Sequence, residues 1–285
     1  MKTILLPTDF SENSKNAIRY ALEYFETEPC KFIILNVQKV SSFVTDDLMA
    51  MHPSDTIFKS LIESSKQKVV QFIKELKETY NNTLHQFESK VDYDNFIDAI
   101  NQVIELEGIE LIVMGTKGAS NIAKTIFGSN AARVIQRANC PVLAIPNDYT
   151  FNGIKHIAFP SNYFTEYNID DLKPLLALTN KTDSKVSVLH VKDEEHLSEY
   201  QENNRAFLDQ CFSNQHHEFI DLEQGNLFKK ITNYIVENDV DLLAMMSRKH
   251  SFIERVFARH AAESFAFNPK VPLLVMENTG NFYLK

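Results

Sequence analysis

Short apolar runs alternate along this chain with longer stretches in which apolar residues return every third or fourth position, and that rhythm predicts the fold. In the first half, runs of strand length lie at 3–6, 31–37, 84–91, 110–114 and 141–145. Between them, residues 13–25 carry Ala17, Tyr20, Ala21, Tyr24 and Phe25, and residues 58–80 carry Ile62, Val69, Ile73, Leu76 and Tyr80, both near the period of an amphipathic helix. Asn95 to Glu107 and Ala131 to Ala138 continue the alternation as helices. Five strands linked by helices predict a parallel, doubly wound α/β sheet.

The second half repeats the series at 155–159, 185–191, 217–222, 241–246 and 272–276. Thr3-Ile-Leu-Leu-Pro7-Thr8-Asp9 corresponds to His156-Ile-Ala-Phe-Pro160-Ser161-Asn162, and Lys31 to Val37 corresponds to Lys185 to Val191. Near the ends, Glu110 to Met114 matches Asp241 to Met245, and Cys140 to Ile145 matches Val271 to Met276. Pro, Asn, Asp and Gly interrupt the apolar pattern between Pro146 and Gly153. The chain therefore reads as a tandem of two similar domains, 1–146 and 154–277, in keeping with about 100–200 residues per domain.

Three of the seven glycines, Gly115, Gly118 and Gly128, fall between the apolar run at 110–114 and the helix that follows. The order is a strand, then Gly-x2-Gly-x9-Gly-Ser, then a helix. Glycine lets backbone approach a ligand closely and adopt unusual φ values, and the N–H groups and dipole at a helix start favour an anion. The spacing is neither that of a P-loop nor that of a dinucleotide-binding fingerprint.

It resembles the universal stress protein family, in which Gly-x2-Gly-x9-Gly-Ser/Thr marks the members that hold ATP. The resemblance implies a Rossmann-like fold of the adenine nucleotide alpha hydrolase-like type, binding ATP, or ADP or AMP, with Mg²⁺. It further implies that Pro7, Thr8 and Asp9 and the backbone near Val37 meet the adenosine. Met114 and Gly115 would lie near the ribose, and Gly118, Gly128, Ser129 and Asn130 would wrap the phosphates. Lys117 is either a charge at the phosphates or a solvated loop lysine. Asp9 is either a ligand contact or the cap of the first helix, a role open also to Ser11 or Asn13. Ser129 is a phosphate contact, an N-cap for a helix starting at Asn130, or both. In this family the last strand of each domain commonly pairs domains, which implies that 141–145 and 272–276 join within the chain and leave it monomeric or in a higher homodimer.

The second half departs from the motif. In place of the glycine loop it reads Met245-Met246-Ser-Arg248-Lys249-His250 and on through Ala258-Arg259-His260, with no glycine, and Asn162 stands where the first half has Asp9. The expectation is one nucleotide per chain, held by residues 1–146, beside a retired second site.

Composition narrows the function. Net charge is −9, divided as −3 for residues 1–146 and −6 for 147–285, which argues against a nucleic-acid partner. No stretch is long and apolar enough for a bilayer, and the chain opens on a strand without a signal-peptide pattern, so a cytoplasmic protein is expected. Cys30, Cys140 and Cys211 are widely spaced and read as packed thiols of a reducing compartment. No catalytic or metal-binding constellation emerges: His216 and His217 are adjacent, and Asp46-Asp47 and Glu194-Glu195 read as solvated charges. Lys39 to Thr56 is a long connection, either a lid or a mobile loop. The leading expectation is a nucleotide-dependent stress-response regulator acting on an unidentified protein partner. The alternatives are a slow ATPase or phosphotransferase, and an interaction scaffold that binds no nucleotide.

Overall fold

The computed structural model describes residues 1–38, 55–93, 95–118, 127–192, 196–247 and 270–279. The first half runs β1 (Lys2–Pro7), α1 (Glu12–Tyr24), β2 (Cys30–Val37), α2 (Asp55–Tyr80), β3 (His85–Asp92), α3 (Phe96–Glu107), β4 (Leu111–Gly115), α4 (Ser129–Arg137) and β5 (Val142–Ile145). The second half runs β6 (His156–Pro160), α5 (Ile169–Thr182), β7 (Lys185–Val191), α6 (Glu199–Cys211), β8 (His217–Leu222), α7 (Leu227–Glu237), β9 (Leu242–Ser247) and β10 (Leu273–Glu277). The expected strands all form, each within a residue or two of its predicted bounds.

Each half is a five-stranded parallel sheet with the first strand at its centre. The order β3-β2-β1-β4-β5 in one half has its counterpart in β8-β7-β6-β9-β10 in the other. Alternate residues of every central strand point to opposite faces, so both faces are apolar. Ile4, Leu6, Phe32, Ile34 and Val113 pack with α1 and α2 on one face, and Leu5, Ile33, Leu35 and Ile112 pack with α3 and α4 on the other. The second half places α5 and α6 on the first face and α7 on the second. Coverage on both faces is what a parallel sheet requires.

The halves merge into one ten-stranded sheet, because β5 and β10 pair antiparallel with Leu273 opposite Ala144, Leu274 opposite Leu143 and Val275 opposite Val142. The connection from 146 to 153 is packed rather than loose. Asn16 Nδ2 donates to Tyr149 O at 3.0 Å, Tyr149 OH reaches Asp241 O at 3.2 Å, and the Phe151 ring meets Tyr20 at 5.2 Å. On the α1 side of the seam, Lys181 from α5 ion-pairs with Glu28 at 2.5 Å and lies 3.9 Å above the Tyr24 ring.

The three cysteines are free. Burial pushes the Cys30 thiol up to about 11 and the Cys140 thiol to about 12, and the half-buried Cys211 thiol is raised as well. All three are poor nucleophiles. Among the described residues no helix is long and apolar enough to cross a membrane.

Candidate functional site

The rim at the carboxyl ends of β1, β2 and β4 is where a sheet of this order leaves a crevice, since the strand sequence reverses between β1 and β4. The backbone after β1 is held by a small polar lattice. Thr8 N donates to Leu35 O at 2.8 Å and Asn36 Nδ2 to Thr8 O at 2.7 Å, so β2 fixes the turn from below. Thr8 Oγ1 lies 3.0 Å from Ser14 Oγ and accepts from Phe10 N at 3.0 Å. Phe10 takes the left-handed conformation at φ 60°, which turns the chain into α1. Ser11 is the cap of that helix, accepting from Ser14 N. Asp9 is not the cap: its Oδ1 accepts from Ser11 N at 3.0 Å and Ser11 Oγ at 2.6 Å, and the residue stays exposed on the rim.

After β4 the chain crosses to face this turn. Asn13 Nδ2 donates to Lys117 O, and a Cβ on Gly115 would lie 2.7 Å from Asn13 Nδ2 and 3.0 Å from its backbone oxygen. A Cβ on Gly118 would lie 2.8 Å from Asp9 Oδ2. A side chain at Gly115 would have to displace the start of α1, whereas one at Gly118 would meet the carboxylate of exposed Asp9, which precedes that helix. Two structural bonds complete the loop: Thr116 N donates to Ile145 O at 2.9 Å, and Gly128 N donates to Thr116 O at 2.7 Å. Phe127, buried in the core, anchors the return.

The glycines serve space rather than an unusual backbone. A left-handed loop at Gly118 or Gly128 is an expectation the structure corrects, since only Gly108 and Gly153 have positive φ among the described glycines, and Gly128 is extended at φ −64° and ψ 158°. A Cβ at Gly128 would meet the described residues at ordinary contact distances, 3.5 Å and beyond. The helix boundary is corrected too: α4 begins at Ser129, not Asn130 or Ala131, and its N-cap is Gly128, so Ser129 is not a cap. Gly128 offers no side-chain hydrogen bond to that helix start, whereas Ser11, Asn95, Asn168, Ser198 and Asn226 each cap their helices with a side chain. The first N–H groups of α4 thus lack the acceptor that the others carry.

The other expected residues fall as follows. Pro7 and Thr8 are buried at the end of β1, and Val37 stands half-buried at the end of β2, opposite Asp92 of β3. Met114 is buried in the core under α3 and α4, so what it offers the crevice is backbone. Lys117 and Asn130 are half-buried and Ser129 is exposed. Thr116 and Asn13 were not expected to shape the loop; both sit at unspecified positions of the motif or outside it, and no spacing rule singles them out. Residues 119–126, the supposed lid at 39–56 up to its last two positions, Asp46-Asp47, Glu194-Glu195, and Arg248, Lys249, Ala258 and Arg259 lie outside the described residues.

The turn after β6 reproduces the one after β1 bond for bond. Ser161 N donates to Leu189 O at 2.8 Å, Tyr163 N to Ser161 Oγ at 3.0 Å, and Phe164 N to Asn162 Oδ1 at 3.1 Å, with Tyr163 at φ 58°. His190 takes the place of Asn36, its Nδ1 3.1 Å from Ser161 O. The surroundings differ: the Tyr163 ring is fully buried and stacks on His190 with centroids 4.8 Å apart, and α6 ties down the turn through Gln201 to Asn162 O at 3.0 Å and Asn204 to Tyr163 O at 2.8 Å.

The family model for the universal stress proteins matches residues 1–146, the segment that carries this crevice. The chain belongs to the universal stress protein family. It is 27% identical over 149 residues to a universal stress protein of Methanocaldococcus jannaschii, spanning 50% of this chain and 81% of that one. A universal stress protein A-like protein of Arabidopsis thaliana is 25% identical over 142 residues, 47% of this chain and 79% of the relative. The likeness in fold extends over both halves: the crystal structure of a universal stress protein from Archaeoglobus fulgidus covers 96% of this chain and 98% of its own, at 20% identity and a TM-score of 0.70.

Proposed function

We propose that residues 1–146 form a domain that binds an adenine nucleotide, ATP or else ADP or AMP, and that residues 154–277 form a second domain of the same type that holds none. The observation that carries this reading is the start of α4. It is a helix N-terminus with a glycine in place of a capping side chain, reached through a loop whose Gly115 and Gly118 are packed against the α1 start, on the rim where the sheet reverses. Unpaired N–H groups at a positive dipole end favour phosphate oxygens. Asp9 and the backbone at Val37, one and two strands away, suit the adenosine, with Met114 and Gly115 between them and the phosphate loop at Gly118, Gly128, Ser129 and Asn130. Lys117 adds positive charge.

Among the described residues no group of three His, Cys, Asp or Glu converges as a metal site. Mg²⁺ commonly takes phosphate oxygens and water with few protein ligands, so it suits this loop as a companion of the nucleotide rather than as a resident ion. Binding is favoured over hydrolysis. Phosphoryl transfer needs a positioned nucleophile and strong charge neutralisation, and Asp9, the carboxylate that follows β1 on this rim, is committed to Ser11. The reading is of a cytoplasmic regulator whose nucleotide state is passed to a protein partner.

Mass spectrometry of gently purified protein should find co-eluting ATP, ADP or AMP, and calorimetry should show one adenine nucleotide bound per chain. No adenine nucleotide by either measurement would leave the scaffold alternative standing. Steady turnover of ATP by the pure protein would favour the enzyme.

A further inference from the structure

The elements assigned to the nucleotide follow one another across the rim in strand order. Val37 ends β2, Asp9 follows β1, Gly115 ends β4, and the glycine loop lies beyond β4. Next in the same direction come β5 and then β10 of the second half. There a cavity of about 390 Å³ opens at the seam, with Thr116 and Lys117 of the loop among its walls on one side, Asp148 of the connection beside them, and Lys270 with Leu273 contributed by the second half. Its base is apolar, since Phe127, Val271 and Leu273 also line it and are buried. Lys117 and Lys270 are the two basic residues of its lining, and Asp148 is the carboxylate residue among them. Within the described residues neither lysine forms an ion pair.

Distance links this cavity to the crevice. From the gap between β2 and β1 to the gap between β5 and β10 is three strand spacings, about 14 Å at roughly 4.8 Å each. A nucleoside triphosphate with its base between Asp9 and Val37 spans that length, and its terminal phosphates arrive over β5. A monophosphate held by the same base ends at the glycine loop.

We propose that the cavity receives the terminal phosphates of a nucleoside triphosphate, and that Lys270, supplied by the second half, acts with Lys117 to make the site prefer ATP over AMP. The proposal rests on the nucleotide reading of residues 1–146 and adds a role for the second half. With no nucleotide of its own, that half contributes a cation to its neighbour's ligand. The presence or loss of the terminal phosphates is then felt directly at the N-terminal end of β10, on the far side of the seam.

The test is calorimetric titration of the full chain with ATP and with AMP, in the wild type, Lys270→Gln and Lys270→Arg. The wild type should bind ATP more tightly than AMP. Lys270→Gln should lose about tenfold in ATP affinity, as expected for one charged contact to phosphate, while AMP affinity changes by less than about twofold. Lys270→Arg should keep most of the preference. Unchanged ATP affinity in Lys270→Gln, or equal loss for ATP and AMP, overturns the proposal. A wild type that binds AMP without preferring ATP overturns it and leaves the nucleotide reading intact, and one that binds neither overturns both.

Discussion

The uncapped start of α4 is testable through a substitution that should move stability and binding in opposite directions. At Gly128 the backbone is extended, with φ −64° and ψ 158°, the ordinary geometry of a capping residue, and among the described residues a new Cβ would approach nothing closer than 3.5 Å. Gly128→Asp therefore fits without strain. Its carboxylate would accept from the free N–H groups of the first turn, a gain of a few tenths of a kcal/mol over glycine, and would lie at the positive end of the helix dipole, worth about 0.3–1 kcal/mol more. The protein without ligand should become more stable by about 0.5–1.5 kcal/mol, a rise in melting temperature of roughly 1–5 °C for a chain of this size. The same carboxylate would occupy the anion's place and repel it. Two like charges about 4 Å apart cost about 1–4 kcal/mol in surroundings between water and a protein surface, so ATP affinity should fall by about fivefold to several hundredfold. Thermal melts of the nucleotide-free protein and calorimetry with ATP read the two effects separately. If Gly128→Asp binds ATP as the wild type does, or if it is less stable than the wild type, the phosphate assignment of this helix start is refuted.

Gly115→Ala should destabilise the chain with or without ligand by about 1–3 kcal/mol, because its Cβ would meet the Asn13 backbone oxygen at 3.0 Å; urea unfolding checks this, and an unchanged midpoint would contradict it. The pair across the seam should make stability sensitive to acid. Burial alone would raise the Glu28 carboxyl, but hydrogen bonds from Lys181 and Lys2 outweigh it and hold the group below its ordinary value. A carboxylate depressed in the folded state contributes stability above its unfolded pKa of about 4.3 and loses it as pH falls through the lower folded value. Burial pushes the Lys181 ammonium down as well, against the hydrogen bond to Glu28 that raises it. Lys181→Met should weaken that acid dependence, and chemical denaturation at a series of pH values showing a profile parallel to the wild type's would count against the pairing. Nucleotide stoichiometry should be one per chain; two equivalents at saturation would restore the second crevice as a working site.

Much of this fold could be read from the chain. Parallel strands buried on both faces appear as short apolar runs, and the intervening helices keep their 3.6-residue rhythm, so Lys31 to Val37 and its repeat at Lys185 to Val191 locate themselves. The glycine spacing likewise drew attention to the segment after β4, which lies on the rim where the strand order reverses. What it concealed was the reason for each glycine. The sequence suggests backbone freedom, whereas Gly115 and Gly118 face Asn13 and Asp9 at distances that only the folded chain creates. Serine favours the cap position, yet α4 starts at Ser129 itself and Gly128, whose N–H donates to Thr116 O, stands at the cap. Lys270 carried no local signal at all. It comes to the same cavity as Lys117 through the antiparallel pairing of β5 with β10, which joins residues far apart in the chain.

That antiparallel seam has a further consequence for how such a molecule can change. When two identical chains join through a two-fold interface, every substitution appears twice, and neither copy can lose its binding residues without the other doing so. Here the partner is encoded on the same chain, tethered by a connection packed against α1, and a tether of this kind holds the partner at a high effective concentration. Each half is then free to vary alone. The second can fill the space around its turn with Tyr163, His190, Gln201 and Asn204 while remaining the strand mate the first requires. Covalent linkage thus permits specialisation within a symmetric architecture, because the symmetry of the sheet no longer enforces symmetry of the sequence.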